Sequence, residues 1–122
     1  MPLKAGLVIP RGSASELIAR VAQAERRGIA TAWTTVGGPT ADPVTAYAAV
    51  GAVTDRIGLG TAVTPTYPRH PLTLAAQAIA IHDLAPGRLR LGVGPSHKPI
   101  IEGAYGLPMG RWVSPWLTCG ST

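Results

Sequence analysis

Hydrophobic positions fall in short runs of alternating period along the chain. In the opening run Leu3, Ala5, Leu7 and Ile9 alternate with Lys4, Gly6 and Val8, and Pro10 ends it. Period-two alternation over Lys4–Ile9 predicts a first strand. Ser13, with Glu16 three residues on, forms a capping box in which each side chain can satisfy the other's free backbone amide. Leu17, Ile18, Val21 and Ala24 then recur at helical spacing. Arg26 and Arg27 occupy the last turn, where cations oppose the negative end of the helix dipole, and Gly28 offers a left-handed stop.

The same grammar repeats. Ile29–Thr34 reads as a second strand. Asp42 followed by Pro43 opens a helix to about Asp55, because the carboxylate caps and proline needs no partner for a missing N–H in the first turn. Ile57–Val63 is the third strand. Pro71 opens a third helix, expected to bury Leu72, Ala75, Ala76, Ile79 and Leu84, and Pro86-Gly87 closes it. Leu89, Leu91 and Val93 mark the fourth strand. Strands alternating with helices through short turns predict an α/β fold, a parallel sheet with right-handed crossovers. In such sheets ligands lie beyond the carboxyl ends of the strands. Four loops occupy that end: Pro10–Gly12, Thr34–Gly38, Thr61–His70 and Gly94–Lys98.

Composition narrows the classes. With 46% hydrophobic and 14% charged residues, the 122-residue chain suits one globular unit rather than a disordered tail. The formal net charge is +5, but the basic residues are scattered, with no clustered stripe and no interleaved aromatics. No nucleic-acid partner is therefore expected, and a polyanionic cofactor is a better use of the surface. Cys119 is the single cysteine, so no intrachain disulfide can form. Neither a signal segment nor a membrane span is expected from the sequence, and a cytoplasmic location is expected with them. No metal-ligand spacing occurs. Gly58, Gly60, Gly92 and Gly94 fall within and after strands and do not spell a dinucleotide fingerprint.

Two motifs lie in the loops singled out above. Leu59–Pro71 reads LGTAVTPTYPRHP, and Leu89–His97 reads LRLGVGPSH after the turn Ala85-Pro86-Gly87-Arg88. In this order, with one helix between, they resemble the luciferase-like monooxygenase family, and most closely its branch that uses the deazaflavin coenzyme F420. The likeness runs from Met1 to about Met109.

The resemblance implies a (β/α)₈ TIM barrel, of which this chain would supply about four parallel strands with their crossover helices. It implies a small-molecule substrate, with coenzyme F420, or alternatively FMN, held at the strand tips. Gly60, Thr61, Ala62 and Val63 would back the ring, with a bulge carrying a non-proline cis peptide at Ala62–Val63. Thr34 and Thr35 would lie beside the cofactor, where some relatives carry acidic and imidazole groups. A threonine there can hydrogen-bond a ring carbonyl or satisfy its own turn. Gly94 would let backbone approach the ligand, and Ser96 could donate to it. His97 could act as acid or base, and an ordinary loop histidine would read the same way. Arg69 could reach an anionic group or serve structure, His70 suits a helix cap, and His82 should face outward.

A complete barrel has eight strands and about 250 residues. Residues 1–109 thus read as the N-terminal half of such a domain. Residues 110–122 (GRWVSPWLTCGST) read as an atypical tail, consistent with a shifted reading frame. The function expected is luciferase-like oxidoreduction, hydride transfer or monooxygenation, inactive in isolation. The alternatives are a non-catalytic truncated fragment and a half-barrel that self-associates as a homo-oligomer through bare edges.

Overall fold

The computed structural model describes residues 4–110, so the tail expected over residues 110–122, with Trp112, Pro115, Trp116 and Cys119, lies past Gly110 outside the described residues. The elements are β1 (Gly6–Val8), α1 (Ala14–Arg26), β2 (Thr31–Thr34), α2 (Pro43–Val53), β3 (Gly58–Pro65), α3 (Pro71–Leu84) and β4 (Leu89–Gly94). A short π-helical turn, Pro99–Ala104, follows. The four strands form one sheet in the order β1-β2-β3-β4, and every neighbouring pair is parallel.

The predicted N-caps are in place, although the capping box closes on one side only, with the Glu16 carboxylate 3.9 Å from Arg20 Nη2. The Glu16 N–H donates to Ser13 Oγ at 3.1 Å, and the Thr45 N–H donates to Asp42 Oδ2 at 3.1 Å. His70 Nδ1 accepts the Leu72 N–H at 3.1 Å, which makes it the cap of α3, and His82 is exposed. Gly28 takes a φ of +82° just past α1. No helix among the described residues is long and apolar enough to cross a membrane.

The core fills the space between the helices and one face of the sheet. Ala32, Leu59, Val21, Tyr47, Val50, Leu74 and Ile81 are its buried members. The other face, concave in a barrel and called the inner face below, carries Gly6, Val8, Trp33, Gly58, Gly60, Arg90, Gly92 and Gly94 by strand alternation and register.

The expected buried face of α3 is corrected. Leu74 and Ile81 are the buried residues, while Leu72 and Ile79 are 72% and 70% exposed, Leu84 is 45% exposed, and Ala75 and Ala76 are exposed. The helix reads PLTLAAQAIAIHDL, apolar on nearly every side, so periodicity has no polar face against which to orient it. Val53, Val93, Leu7 and Val8 are also exposed.

Two charged clamps at the amino ends of the strands hold this arrangement. The buried Glu25 carboxylate accepts backbone N–H groups from Asp55, Arg56 and Ile57 at 3.0, 2.8 and 3.0 Å. Arg88 donates to Thr54 Oγ1 at 2.9 Å and to the carbonyls of Gly51 and Thr54 at 2.8 and 3.1 Å, closing the C-terminus of α2. Glu25 thus fixes where β3 begins, and Arg88 ties the start of β4 to the same loop. Burial pushes the Glu25 carboxyl up, but the N–H groups of Arg56, Ile57 and Asp55 and the Arg56 charge outweigh it, and the net direction is down.

A carboxyl lowered in the folded state adds stability that is complete above its unfolded pKa, about 4.3, and is lost as pH falls through the folded value. Glu25→Gln should therefore destabilise the chain at pH 7 by about 1–3 kcal/mol, the cost of buried N–H groups losing a charged acceptor. Urea denaturation at several pH values should show that difference shrinking below about pH 4. A gap unchanged down to pH 2 would contradict the clamp.

Candidate active site

The tip of β3 departs from a regular ladder. It pairs with β4 as Thr61↔Leu91 and then Thr64↔Val93, so Ala62 and Val63 together oppose the single residue Gly92. That is a β-bulge at the expected position, and the Ala62–Val63 peptide is cis.

Side-chain hydroxyls complete the hydrogen bonding around it. Thr61 Oγ1 accepts the Gly92 N–H and donates to the Gly92 carbonyl, each at 2.9 Å. One hydroxyl has both capacities, so a single threonine serves both backbone groups. Below it, the fully buried Tyr47 OH on α2 donates to the Gly60 carbonyl at 2.7 Å. Burial pushes the ionisation of this phenol up, which keeps it a donor at any working pH.

The inner face at this tip is shallow and built for close approach. A Cβ on Gly60 would lie 2.3 Å from the Trp33 ring, so the indole rests on Gly60, and it extends across to Gly6 on β1. A Cβ on Gly94 would stand 3.0 Å from Val63 Cγ2. Ala62 is exposed and Val63 is 41% exposed at the bulge. The result is a shelf of backbone, methyl groups and one indole, without bulky side chains from β4.

The loops divide the candidate residues into those that face this shelf and those that do not. Thr34 is buried on the helix side with Ala32, its hydroxyl 3.5 Å from the Thr35 carbonyl. Of the two uses expected for it, the hydroxyl takes that of satisfying its own turn, with the side chain directed to the helix side by strand alternation. Thr61 points the same way and is occupied by Gly92, so it offers backbone alone. Thr35 is exposed and accepts from Arg11 Nε at 2.9 Å. Ser96 follows β4 with a φ of +65°, a left-handed conformation uncommon outside glycine and enriched at functional sites. The His97 side chain is exposed, and its carbonyl accepts the Ile100 and Ile101 N–H groups, each at 3.0 Å. Arg69 is committed to structure, donating to Asp42 Oδ1 at 2.7 Å and to Gln77 Oε1 at 3.0 Å.

Four contributors escaped the sequence reading. Arg11 links the first and second loops. Trp33 supplies the inner-face aromatic. Tyr105, after the π-helical turn, accepts the Gly38 N–H at 2.8 Å, which pins the second loop to the segment after β4. Gly37 and Gly38 have φ of +120° and +79°, which lets the chain turn under that phenol. Tyr47 did carry a signal, since a phenol among alanines and valines on a buried helix needs a partner. Nothing in the local sequence marks Tyr105.

Comparison with known proteins places these features in context. The luciferase-like monooxygenase family matches residues 3–114. An F420-dependent glucose-6-phosphate dehydrogenase of Beutenbergia cavernae is 40% identical over 77 residues, covering 62% of this chain and 23% of that protein. The coenzyme F420-dependent tetrahydromethanopterin reductase of Methanopyrus kandleri superposes with a TM-score of 0.77 at 24% identity, over 89% of this chain and 31% of its own. The oxygenating constituent of 3,6-diketocamphane monooxygenase from Pseudomonas putida, solved with FMN, gives a TM-score of 0.72 at 20% identity, over 83% of this chain and 32% of its own. The chain thus spans about a quarter to a third of the length of these relatives.

Thr61→Val keeps the shape of the side chain and strands both Gly92 backbone groups, so it should cost about 1–3 kcal/mol in urea denaturation. Thr61→Ser should recover most of that loss. Equal stability of Thr61→Val and the parent would show that the hydroxyl does not hold the bulge.

Proposed function

The chain belongs to the luciferase-like monooxygenase family, and on that footing we propose that its strand tips form one wall of an oxidoreductase site for coenzyme F420, with FMN as the alternative. The observation that carries this reading is the bulged tip of β3 lying parallel and adjacent to the glycine-rich tip of β4. A flat ring needs a surface without protruding side chains. Ala62, Val63 and Gly94 provide one, and a Cβ on Gly94 would crowd Val63. The residues present therefore fit such a group.

In this reading the backbone of Ala62–Val63 and the Val63 methyls stand behind the ring. Gly94 admits its edge, and Ser96 donates a hydrogen bond to its polar rim. Thr35, oriented by Arg11, faces the same mouth, and the exposed His97 is the group that can carry a proton to or from a small-molecule substrate. The bound deazaflavin would supply the carbon that gives or takes hydride, and the protein's part is positioning and electrostatics. Preference for F420 rests on the LRLGVGPSH segment and on a relative named for that coenzyme that is 40% identical over 77 residues.

A second reading concerns completeness. β1 and β4 are the edges of the sheet, and Leu7, Val8, Leu72, Ile79 and Val93 are exposed near them or on α3. These features favour closure by further strands, and two copies of this unit would supply the eight of a full barrel.

Titration with each cofactor separates these possibilities. Fluorescence of F420 should quench saturably and at lower concentration than that of FMN. Gly94→Val should weaken the effect at least about tenfold, as expected for lost access to a preformed surface. A stoichiometry of one cofactor per two chains, with a dimer by light scattering, is the outcome expected of self-association. Unsaturable quenching by both cofactors would overturn the proposed site.

A further inference from the structure

We propose that the opposite, amino-terminal mouth of the sheet is a second binding site, for a small phosphate anion bearing more than one negative charge. A cavity of about 370 Å³ opens there, within the roughly 300–1,000 Å³ range of small-molecule sites. Lys4, Arg56, Arg88 and Arg90 line it, over a floor that includes Thr31 and Gly58, and among the described residues no carboxylate lines it.

The guanidinium groups are oriented without being neutralised. Arg88 spends both terminal nitrogens on Thr54 Oγ1 and the Ile57, Gly51 and Thr54 carbonyls and so lends charge alone, Arg56 Nη2 donates to the Glu25 carbonyl at 3.2 Å, and Arg90 Nη1 donates to the Gly87 carbonyl at 2.9 Å. Carbonyl oxygens fix direction and leave the positive charge intact. The Glu25 carboxylate, which takes the N–H groups of residues 55–57, offsets part of the Arg56 charge, while Lys4, Arg88 and Arg90 form no ion pair among the described residues. Like charges around one concavity repel, and an anion seated among them removes that repulsion.

Geometry sets the kind of anion. Arg90 pairs with Gly60 and so faces inward, and Lys4 faces inward by alternation with Gly6. They belong to opposite edges of the sheet, roughly 14 Å apart at three strand spacings. A small ligand reached by long side chains from both edges must offer more than one anionic group, and Arg90, with Nη1 alone taken by the Gly87 and Leu89 carbonyls, keeps its Nε–Nη2 edge as a planar fork for phosphate oxygens. The site is at the other end of the strands from the redox shelf, so its failure would leave the function proposed above untouched.

Pyrophosphate is the probe. At fixed ionic strength it should raise the thermal midpoint of the chain saturably, by the linkage between binding and folding. It should bind at least about tenfold more tightly than inorganic phosphate, and added NaCl should weaken both. The double variant Lys4→Gln, Arg90→Gln should lower the affinity about tenfold with unchanged far-UV circular dichroism. Should the double variant lose its fold, Lys4→Gln alone, at an exposed position, should still weaken binding. No stabilisation beyond that of matched chloride, equal affinity for the two phosphates, or undiminished binding by folded variants would overturn the proposal.

Discussion

A parallel ladder that gains an extra residue on one strand leaves backbone N–H and C=O groups without their regular partners, and burying them unpaired is costly. At the tip of β3 that demand is met by two hydroxyls. Thr61 serves both backbone groups of Gly92, and Tyr47 takes the Gly60 carbonyl. With those bonds in place the bulge can present Ala62 and Val63 to the inner face while β4 stays in register beyond it, at Thr64↔Val93 and Pro65↔Gly94. The shelf proposed for the ring depends on this exchange more than on any residue that would touch the ring itself.

The two ends of the sheet divide the labour. At the amino ends, Glu25 and Arg88 tie helix termini and turns to the starts of β3 and β4 through charge-assisted hydrogen bonds. At the carboxyl ends, contacts are lighter and run between loops: Arg11 to Thr35, and Gly38 to Tyr105. A register fixed from below lets the upper loops carry polar and strained residues such as Ser96, in keeping with the separation of stability and chemistry in parallel barrels. The basic cavity extends the lower end's role from scaffold to a place where an anion can bind.

Much of this was legible in the sequence because it rests on local rules. Ser13, Asp42 and His70 cap helices by side-chain chemistry visible in a few consecutive residues, and the strand–helix alternation gives the parallel order directly. The bulge at Ala62–Val63 was legible through resemblance rather than periodicity. What escaped depends on contacts between distant segments. Glu25 reads as a last-turn acid until the loop at residues 55–57 folds over it, and Tyr105 gains meaning when Gly38 arrives beneath it. The face of α3 was misjudged because a helix apolar all round gives its pattern no direction. The resemblance puts Thr34 beside the cofactor, and alternation along β2 adds that its side chain faces the helices.

The central claim is that the tips of β3 and β4 run parallel, side by side, with Val63 laid against Gly94. Nuclear Overhauser contacts in isotopically labelled protein test it directly. Contacts from the Val63 methyls to the Gly94 α-protons, with slow exchange of the Gly92 amide, are the predicted result. A Gly92 amide that exchanges at the rate of an open loop, or cross-strand contacts in an antiparallel pattern, would contradict it.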